Sequence, residues 1–174
     1  NTAVGYAALD ACTTAVNNTV AVGYTALTAT TTGSINTAVG SLAGAANTGG
    51  TGNVFVGCNA GGANTTGGNN VAIGLNAFDA NTTGTLNTAV GSGALGANTT
   101  DSYNTAIGYN ALLVSSAGGH TNTAVGYNSG VAATTGTENT MHGAASGQSL
   151  TTGVKNTMIG NFTASSLTTG NYNV

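Results

Sequence analysis

Apolar and polar positions alternate in a short unit that recurs along the whole chain. Each unit opens on Asn or Thr, continues with Thr or Val, then usually Ala, then usually Val or Ile, and reaches glycine at its fifth position. These glycines are spaced by 17 residues, with steps of 18 from Gly5 to Gly23 and from Gly108 to Gly126. They are Gly5, Gly23, Gly40, Gly57, Gly74, Gly91, Gly108, Gly126, Gly143 and Gly160. A fixed period over a whole chain indicates a repeat architecture, so these glycines mark the structural layers of a stack.

The residue types of the unit favour strands and turns. Its consensus is N-T-A-V-G-Y-N-A-L-x-A-N-T-T-G-x-x, with β-branched second and fourth positions typical of a strand. Thr-Thr-Gly closes most units and marks a turn. A unit of 17 residues is too short for a βαβ motif of ~30, and Gly and Thr disfavour a helix. We therefore predict an all-β fold, a parallel β-solenoid (β-roll). Each coil would have a strand at T-A-V-G, a turn, a second short strand near N-A-L and a Thr-Gly turn.

Residues 1–174 are predicted to form one repeat domain of about ten coils. Parallel strands lie ~4.8 Å apart, so ten coils would make a rod about 50 Å long. Equivalent Asn and Thr residues would form ladders that hydrogen-bond to one another along the rod. Because the chain begins and ends inside a motif, we expect it to be a segment of a longer fibre. The coils are headed by Asn1, Thr19, Asn36, Asn53, Asn70, Asn87, Asn104, Asn122, Asn139 and Asn156.

Both faces of the predicted strand are apolar or small, although alternate residues of a strand face opposite sides. One face can serve the core of the coil, and the other must meet something else. Sister chains around an axis are the simplest partner, and Ala at the third position would permit close approach there. A homotrimer is the first hypothesis; a lone solenoid and a laterally packed filament are the alternatives.

Charge is scarce, which excludes several classes of partner. Only 3% of the residues are charged, with one Lys and no Arg. Nucleic acid binding needs Lys or Arg to neutralise phosphates, so we exclude nucleic acid and, for the same reason, anionic membrane surfaces. The sequence also lacks an apolar run near the ~20 residues of a membrane helix, so we expect no membrane insertion.

The acidic residues Asp10, Asp79, Asp101 and Glu138 do not form a catalytic pattern. Asp10 and Asp79 share a repeat position but lie four coils apart, about 19 Å, whereas a glycosidase pair needs roughly 5–9.5 Å. We predict no enzyme activity, cofactor or metal site. Glu138 and Lys155 are 17 residues apart and should form a surface ion pair between adjacent coils.

Two cysteines and two histidines could carry chemistry. Cys12 and Cys58 should be about 14 Å apart along the axis, too far for a disulfide, so we interpret both as small buried residues, with an interchain bridge as the alternative. His142 replaces the usual Val or Ile of the fourth position and is expected to be a buried neutral His. If it instead faces a threefold axis, three copies could bind a metal or an anion. His120 is predicted to be an exposed turn residue.

Tyr6 with Tyr24, and Tyr109 with Tyr127, occupy the sixth position of adjacent coils at the two 18-residue steps. Stacking for stability is the first interpretation. Because aromatic faces suit sugars, these tyrosines are also the best candidates for receptor contact.

The repeat resembles known fibre proteins. Asn70-Val71-Ala72-Ile73-Gly74 is similar to the core of the head repeats of trimeric autotransporter adhesins. The longer form N-T-A-V-G-Y-x-A-L…N-T-T-G resembles repeats of bacteriophage tail fibres and related bacterial surface proteins. The resemblance implies a trimeric, left-handed parallel β-roll outside the cell or on a virion. The coil of the adhesin heads is shorter than 17 residues, so a longer turn is accommodated here.

The first functional hypothesis is a structural and adhesive fibre shaft that spaces or presents a surface for a glycan or protein receptor. A self-assembling extracellular filament is one alternative. An ice-binding β-solenoid with exposed Thr ladders is the other.

Overall fold

The chain folds into a single stack of short parallel strands. A computed structural model describes residues 1–13, 15–115 and 118–174. Each strand pairs with the next along the chain in parallel, in the order β1 to β10, and equivalent repeat positions face each other, as Val71 faces Thr88. The strands are β1 (Thr2–Val4), β2 (Val20–Val22), β3 (Thr37–Val39), β4 (Val54–Val56), β5 (Val71–Ile73), β6 (Thr88–Val90), β7 (Thr105–Ile107), β8 (Thr123–Val125), β9 (Thr140–His142) and β10 (Thr157–Ile159). The all-β parallel solenoid is therefore confirmed.

The third position of each coil points into the solenoid. From β2 to β10 its side chain is buried, with Ala72 and Ala89 at 0% exposure. The expectation that this Ala would approach a sister chain is wrong, because strand alternation turns the second and fourth positions outward instead. Apart from His142, the outward strand face is thus made of Thr, Val and Ile rather than Ala.

The predicted second strand near N-A-L does not form in the described residues, where this segment is a turn. In coil two, neighbouring Ala26 and Leu27 are both fully buried in the same core, whereas successive side chains of an extended strand point to opposite faces. The left-handed residues Thr25 (φ 51°) and Leu27 (φ 50°) allow both side chains to point inward. The segment still bonds to the next coil, because the N–H of Leu27 donates to the carbonyl of Ala43 at 3.0 Å.

The fifth-position glycines satisfy two requirements. At Gly91 φ is 132°, a conformation that only glycine adopts readily. A Cβ there would also collide with the carbonyl oxygen of Gly108 in the next coil. The same arrangement recurs from Gly5 to Gly143, which explains why these glycines define the period.

A buried asparagine ladder closes most coils and joins them to their neighbours. The Nδ2 of Asn53 donates to the carbonyl of Gly67 at 2.9 Å, which ties the first position of the coil to its fifteenth. Its Oδ1 accepts from the backbone N–H of Asn70 in the next coil at 2.9 Å. A second ladder runs through the twelfth position, where Asn64 donates to Asn47 at 2.9 Å. The predicted Asn ladders are therefore confirmed.

The core keeps its volume by exchanging bulk between the third and ninth positions. Where the third position is Phe55, the ninth positions beside it are Gly44 and Gly61, and a Cβ on either glycine would collide with the Phe55 ring. Met141 is likewise flanked by Gly130 and Gly147, whose added Cβ atoms would lie 2.7 and 2.8 Å from Met141 atoms. Where the third position is Ala, the ninth position carries a large residue in most coils. A large side chain in the narrow core therefore comes from the third or the ninth position, and not from both at the same level.

Both ladders lose side-chain hydrogen bonds near the 18-residue coil headed by Asn104, although the backbone N–H bonds of the first ladder continue on both sides of Asn104. Asp101 stands where neighbouring coils have glycine, and its buried carboxylate accepts from the N–H groups of Gly118 and Gly119 at 2.8 and 3.1 Å. Among the described residues, the amide of Asn98 and the Nδ2 of Asn104 have no hydrogen-bond partner. The amides of Asn98 and Asn104 thus lack the side-chain hydrogen bonds that Asn81 and Asn87 make.

Candidate functional site

The outward strand face is an exposed apolar ladder that runs the length of the solenoid. Its fourth positions lie one above the next in the parallel register, as Val56, Ile73 and Val90 do. Ile107 is 40% exposed in the middle of the stack, although β-branched residues of this kind are usually buried in a soluble domain. The fourth positions are Val4, Val22, Val39, Val56, Ile73, Val90, Ile107, Val125, His142 and Ile159. The strip is apolar at every fourth position except His142, and an apolar strip of this length indicates an interaction surface.

His142 is exposed on this face, so the expectation of a buried neutral histidine is wrong. The fourth position points outward, and the imidazole therefore interrupts the apolar ladder between Val125 and Ile159. A metal or anion on a threefold axis at His142 stays a prediction. No group of three or more His, Cys, Asp or Glu side chains among the described residues is placed to hold a metal ion.

Both tyrosine pairs stack as predicted. The ring centroids of Tyr6 and Tyr24 are 5.3 Å apart with an interplanar angle of 11°. Tyr109 and Tyr127 are 5.6 Å apart with an angle of 10°. All four rings are more than half exposed, so they are accessible to a ligand. Their role in receptor contact stays a prediction.

The two cysteines are free thiols in the described structure. Cys12 is partly buried against the core. Cys58 is exposed, so its interpretation as a buried residue is wrong. It occupies the sixth position, the same outward position that Tyr6 and Tyr24 occupy in their coils.

The polar surface behaves as the period predicts. Glu138 Oε2 and Lys155 Nζ are 3.8 Å apart, which confirms the surface ion pair, and Lys155 also lies 5.6 Å from the ring centroid of Tyr172. His120 is exposed, as expected, and its Nδ1 accepts from the N–H of Ser102. The Thr ladder is confirmed in a different form: Thr65 Oγ1 donates to the carbonyl of Thr82 at 2.9 Å rather than to another hydroxyl.

A cleft of about 400 Å³ interrupts the surface of the coils headed by Asn70, Asn87 and Asn104. Its middle coil has Gly93 and Gly96 at the seventh and tenth positions, so two outward side chains are missing there. One wall is formed by Asn76 and Asp79 of the preceding coil. The nine lining residues are Asn76, Asp79, Ser92, Gly93, Gly96, Ala97, Tyr109, Asn110 and Leu113.

Asp79 is the charged group of the cleft. Burial raises the pKa of its carboxyl above the ordinary value of 3.8, and its backbone hydrogen bond partly opposes that rise. Asn59 Nδ2 donates to Asp79 Oδ2 at 3.4 Å and to Asn76 Oδ1 at 3.1 Å, so one amide holds this wall. Sequence reasoning considered Asp79 only as half of a catalytic pair and missed the cleft. The signal in the sequence was the tenth position, which changes from Asp79 to Gly96 to Leu113 in three consecutive coils.

Comparison with family models, with curated proteins and with solved structures gives no match to this chain. Within the described ranges, no helix has the length and apolar character needed to cross a membrane.

Proposed function

We propose that this chain is a stretch of an extracellular fibre shaft, in a bacteriophage tail fibre or a bacterial surface adhesin. Three copies would associate as left-handed solenoids around a common axis. The shaft would space or present a surface that binds a glycan or protein receptor. Its role is mechanical, since the number of coils sets length while ladder hydrogen bonds and lateral packing set stiffness.

The observation that carries this proposal is the apolar ladder of the outward strand face. Fourth positions such as Val39 (39% exposed) and Ile73 (39% exposed) repeat from coil to coil. With strands ~4.8 Å apart, the nine steps from β1 to β10 extend it over about 43 Å. A strip this long and apolar favours burial against a partner.

A second copy of the same chain is the partner that matches this ladder best. Identical solenoids have the same pitch, so their ladders can meet coil by coil over the whole length. The second and fourth positions hold no Asp, Glu, Lys or Arg. Close packing of two or three copies therefore brings no charged pair out of water, which would cost several kcal/mol per ion.

The Thr ladder gives less support to ice binding. The hydroxyls of Thr65, Thr82 and Thr151 already donate to carbonyls of the next coil at 2.9, 3.0 and 3.0 Å. The neighbouring fourteenth-position row is interrupted by Gly49. We therefore expect no thermal hysteresis from the purified protein, and a clear activity in that assay would favour the ice-binding alternative.

Light scattering with small-angle X-ray scattering tests the fibre proposal. We expect a particle of three times the 16.5 kDa chain mass, with a long dimension of about 50 Å set by the coil rise. An unlimited filament in electron micrographs would favour the self-assembling alternative. A compact monomer that persists across concentrations would contradict the trimer.

A matched pair of variants identifies the interface. Val90→Asp puts a charge on the outward strand face and should yield monomers that keep the circular dichroism spectrum of the parent. Thr83→Asp puts the same charge on an exposed turn and should leave the trimer intact. A trimer that survives Val90→Asp would show that the interface lies elsewhere.

A further inference from the structure

The cleft differs from the rest of the surface because three consecutive coils supply different groups to it. In the middle coil, a Cβ built on Gly96 would lie 3.4 Å from Asp79 Oδ1 and 3.1 Å from a methyl carbon of Leu113. The carboxylate and the apolar side chain therefore face each other across a glycine floor. A site with one acidic and one apolar wall can hold a molecule that has both polar and apolar faces.

The polar groups of the cleft suit hydroxyl ligands. An ionised carboxylate accepts hydrogen bonds only, whereas the amides of Asn76 and Asn110 both donate and accept. The Nδ2 of Asn59 donates to the Oδ1 of Asn76 at 3.1 Å, so the Nδ2 of Asn76 points away from that bond. Together these groups can satisfy neighbouring hydroxyls, which each donate one hydrogen bond and accept others.

Tyr109 supplies an aromatic rim. Tyr127 stacks on one face of its ring at 5.6 Å. The sixth position on the other side is Ser92, which is too short to cover the second face, and both Ser92 and Tyr109 line the cleft. The negative face of an aromatic ring attracts weakly positive C–H groups, which a sugar ring presents on its apolar side.

The rest of the molecule provides an internal comparison. The other tyrosine pair also has a serine at the next sixth position, Ser41 beside Tyr24. There, however, the seventh and tenth positions of the serine coil are Leu42 and Ala45, whereas the cleft has Gly93 and Gly96 at these positions. Side chains therefore fill the space beside Tyr24 that the two glycines leave open beside Tyr109, and stacked tyrosines alone do not make such a site.

We propose that the cleft between Asp79 and Tyr109 binds one uncharged hexose ring, the end or a single unit of a glycan. The ring lies over Gly93 and Gly96, its hydroxyls meet Asp79, Asn76 and Asn110, and its apolar face meets Tyr109. The volume of about 400 Å³ is at the small end of the roughly 300–1,000 Å³ of ligand sites, which suits one ring. Acidic sugars are disfavoured because the lining residues include a carboxylate and no Lys or Arg.

This inference deepens the presenting role of the proposed function and rests on it, but the two can fail separately. Oligomeric state and rod length test the shaft, whereas sugar binding tests the cleft. A trimeric rod that binds no neutral sugar would support the fibre-shaft proposal and contradict the sugar site in the cleft.

Saturation-transfer NMR on the whole chain provides the test. The probes are the methyl glycosides of glucose, galactose, mannose and N-acetylglucosamine, with glucosamine and N-acetylneuraminic acid as charged probes. We expect saturable binding of at least one neutral glycoside in the millimolar range, which is about −4 kcal/mol. Failure of all four neutral probes, or binding of the charged probes alone, would overturn the proposal.

Three variants locate the binding. Gly96→Ala fills the floor between Asp79 and Leu113 without a left-handed conformation to strain it, since φ at Gly96 is not positive. Asp79→Asn removes the acceptor-only group. Each should weaken binding at least tenfold. Asp10→Asn makes the same change at the tenth position of the first coil, which is exposed and outside the cleft, and should have no effect. Binding that survives Gly96→Ala would place the sugar elsewhere.

Discussion

The exchange of bulk between the third and ninth positions predicts that two core substitutions should compensate each other. Phe55 is fully buried, and an added Cβ on Gly61 would collide with its ring. Phe55→Ala should lower the free energy of unfolding by roughly 3–5 kcal/mol, since Phe-to-Ala changes in cores cost that much. Gly61→Leu should also destabilise the parent, by roughly 1–3 kcal/mol from overpacking and about 1–2 kcal/mol from the left-handed backbone.

Combined, the two changes reproduce an arrangement that the chain already uses. The coil headed by Asn87 has Ala89 at the third position and Leu95, at φ 51°, at the ninth, and both are fully buried. The Leu side chain at position 61 would occupy the space of the Phe55 ring, and burying a Leu contributes about 1.5–3 kcal/mol. Gly61→Leu should therefore stabilise the Phe55→Ala background while it destabilises the parent, with a coupling energy of roughly 2 kcal/mol.

Denaturant unfolding followed by circular dichroism measures this cycle. Amide hydrogen exchange in the central coils gives a local readout, because long repeat arrays can depart from two-state behaviour. Phe162→Ala is the control for loss of a phenyl ring, since Phe162 is 67% exposed, and should change stability little. If the double variant loses as much as the sum of the two single variants, the volume-exchange argument is wrong.

Three further predictions concern the glycine, the asparagine ladder and the cleft. Gly91→Ala should lower the free energy of unfolding by more than about 2 kcal/mol, because φ at Gly91 is 132° and the added Cβ would collide with the carbonyl of the next coil. Gly49→Ala is the control, since its Cβ would meet nothing closer than 3.4 Å, and should change the free energy from thermal unfolding by less than about 1 kcal/mol. Asn87→Ala should lower the free energy of unfolding by roughly 2–4 kcal/mol, because it leaves the buried carbonyl of Asp101 and the buried N–H of Asn104 without the bonds of 2.8 and 2.9 Å that they make to Asn87. Asn104→Ala should cost less in the same denaturant unfolding, because the described structure gives Asn104 Nδ2 no partner. The reverse order would contradict the ladder. Burial raises the folded pKa of Asp79 above 3.8, so the native state binds this proton more tightly than the unfolded chain does, and the stability of the parent should fall as pH rises from below 3.8 through the raised pKa. The stability of Asp79→Asn relative to the parent should therefore increase from about pH 3 to pH 7. A difference that does not change with pH would contradict the burial of this carboxyl.

Features that depend on the period alone could be predicted from the sequence. A fixed spacing places equivalent residues next to each other whatever the path of the coil. The parallel strands, the Asn ladder, the stacked pair of Tyr109 and Tyr127, and the Glu138–Lys155 ion pair all follow from it. The direction of each side chain does not follow from it, because that direction depends on the backbone between equivalent residues.

The wrong expectations come from that backbone. Left-handed φ values at non-glycine residues are uncommon, and nothing in the Ala-Leu sequence indicates that Leu27 has one. Without it, Ala26 and Leu27 cannot both point inward, so the segment was expected to be a strand. The repeat pattern also does not show which face of the strand points into the core. The expectation that His142 is buried was wrong for this reason, since the fourth position points outward.

The cleft and the ladder defect arise in the same coils, where the sequence departs furthest from its own repeat. Gly96 removes a side chain from the cleft floor, Leu113 supplies the opposite wall, and Asp101 replaces the glycine that the neighbouring coils have. Asp101 accepts from the N–H groups of Gly118 and Gly119, while the side-chain amide of Asn98 has no hydrogen-bond partner in the described structure. A uniform solenoid is locally consistent at every level, and departures from such consistency are expected at functional or strained positions. Two departures within two adjacent coils therefore favour the cleft as a functional site of this solenoid.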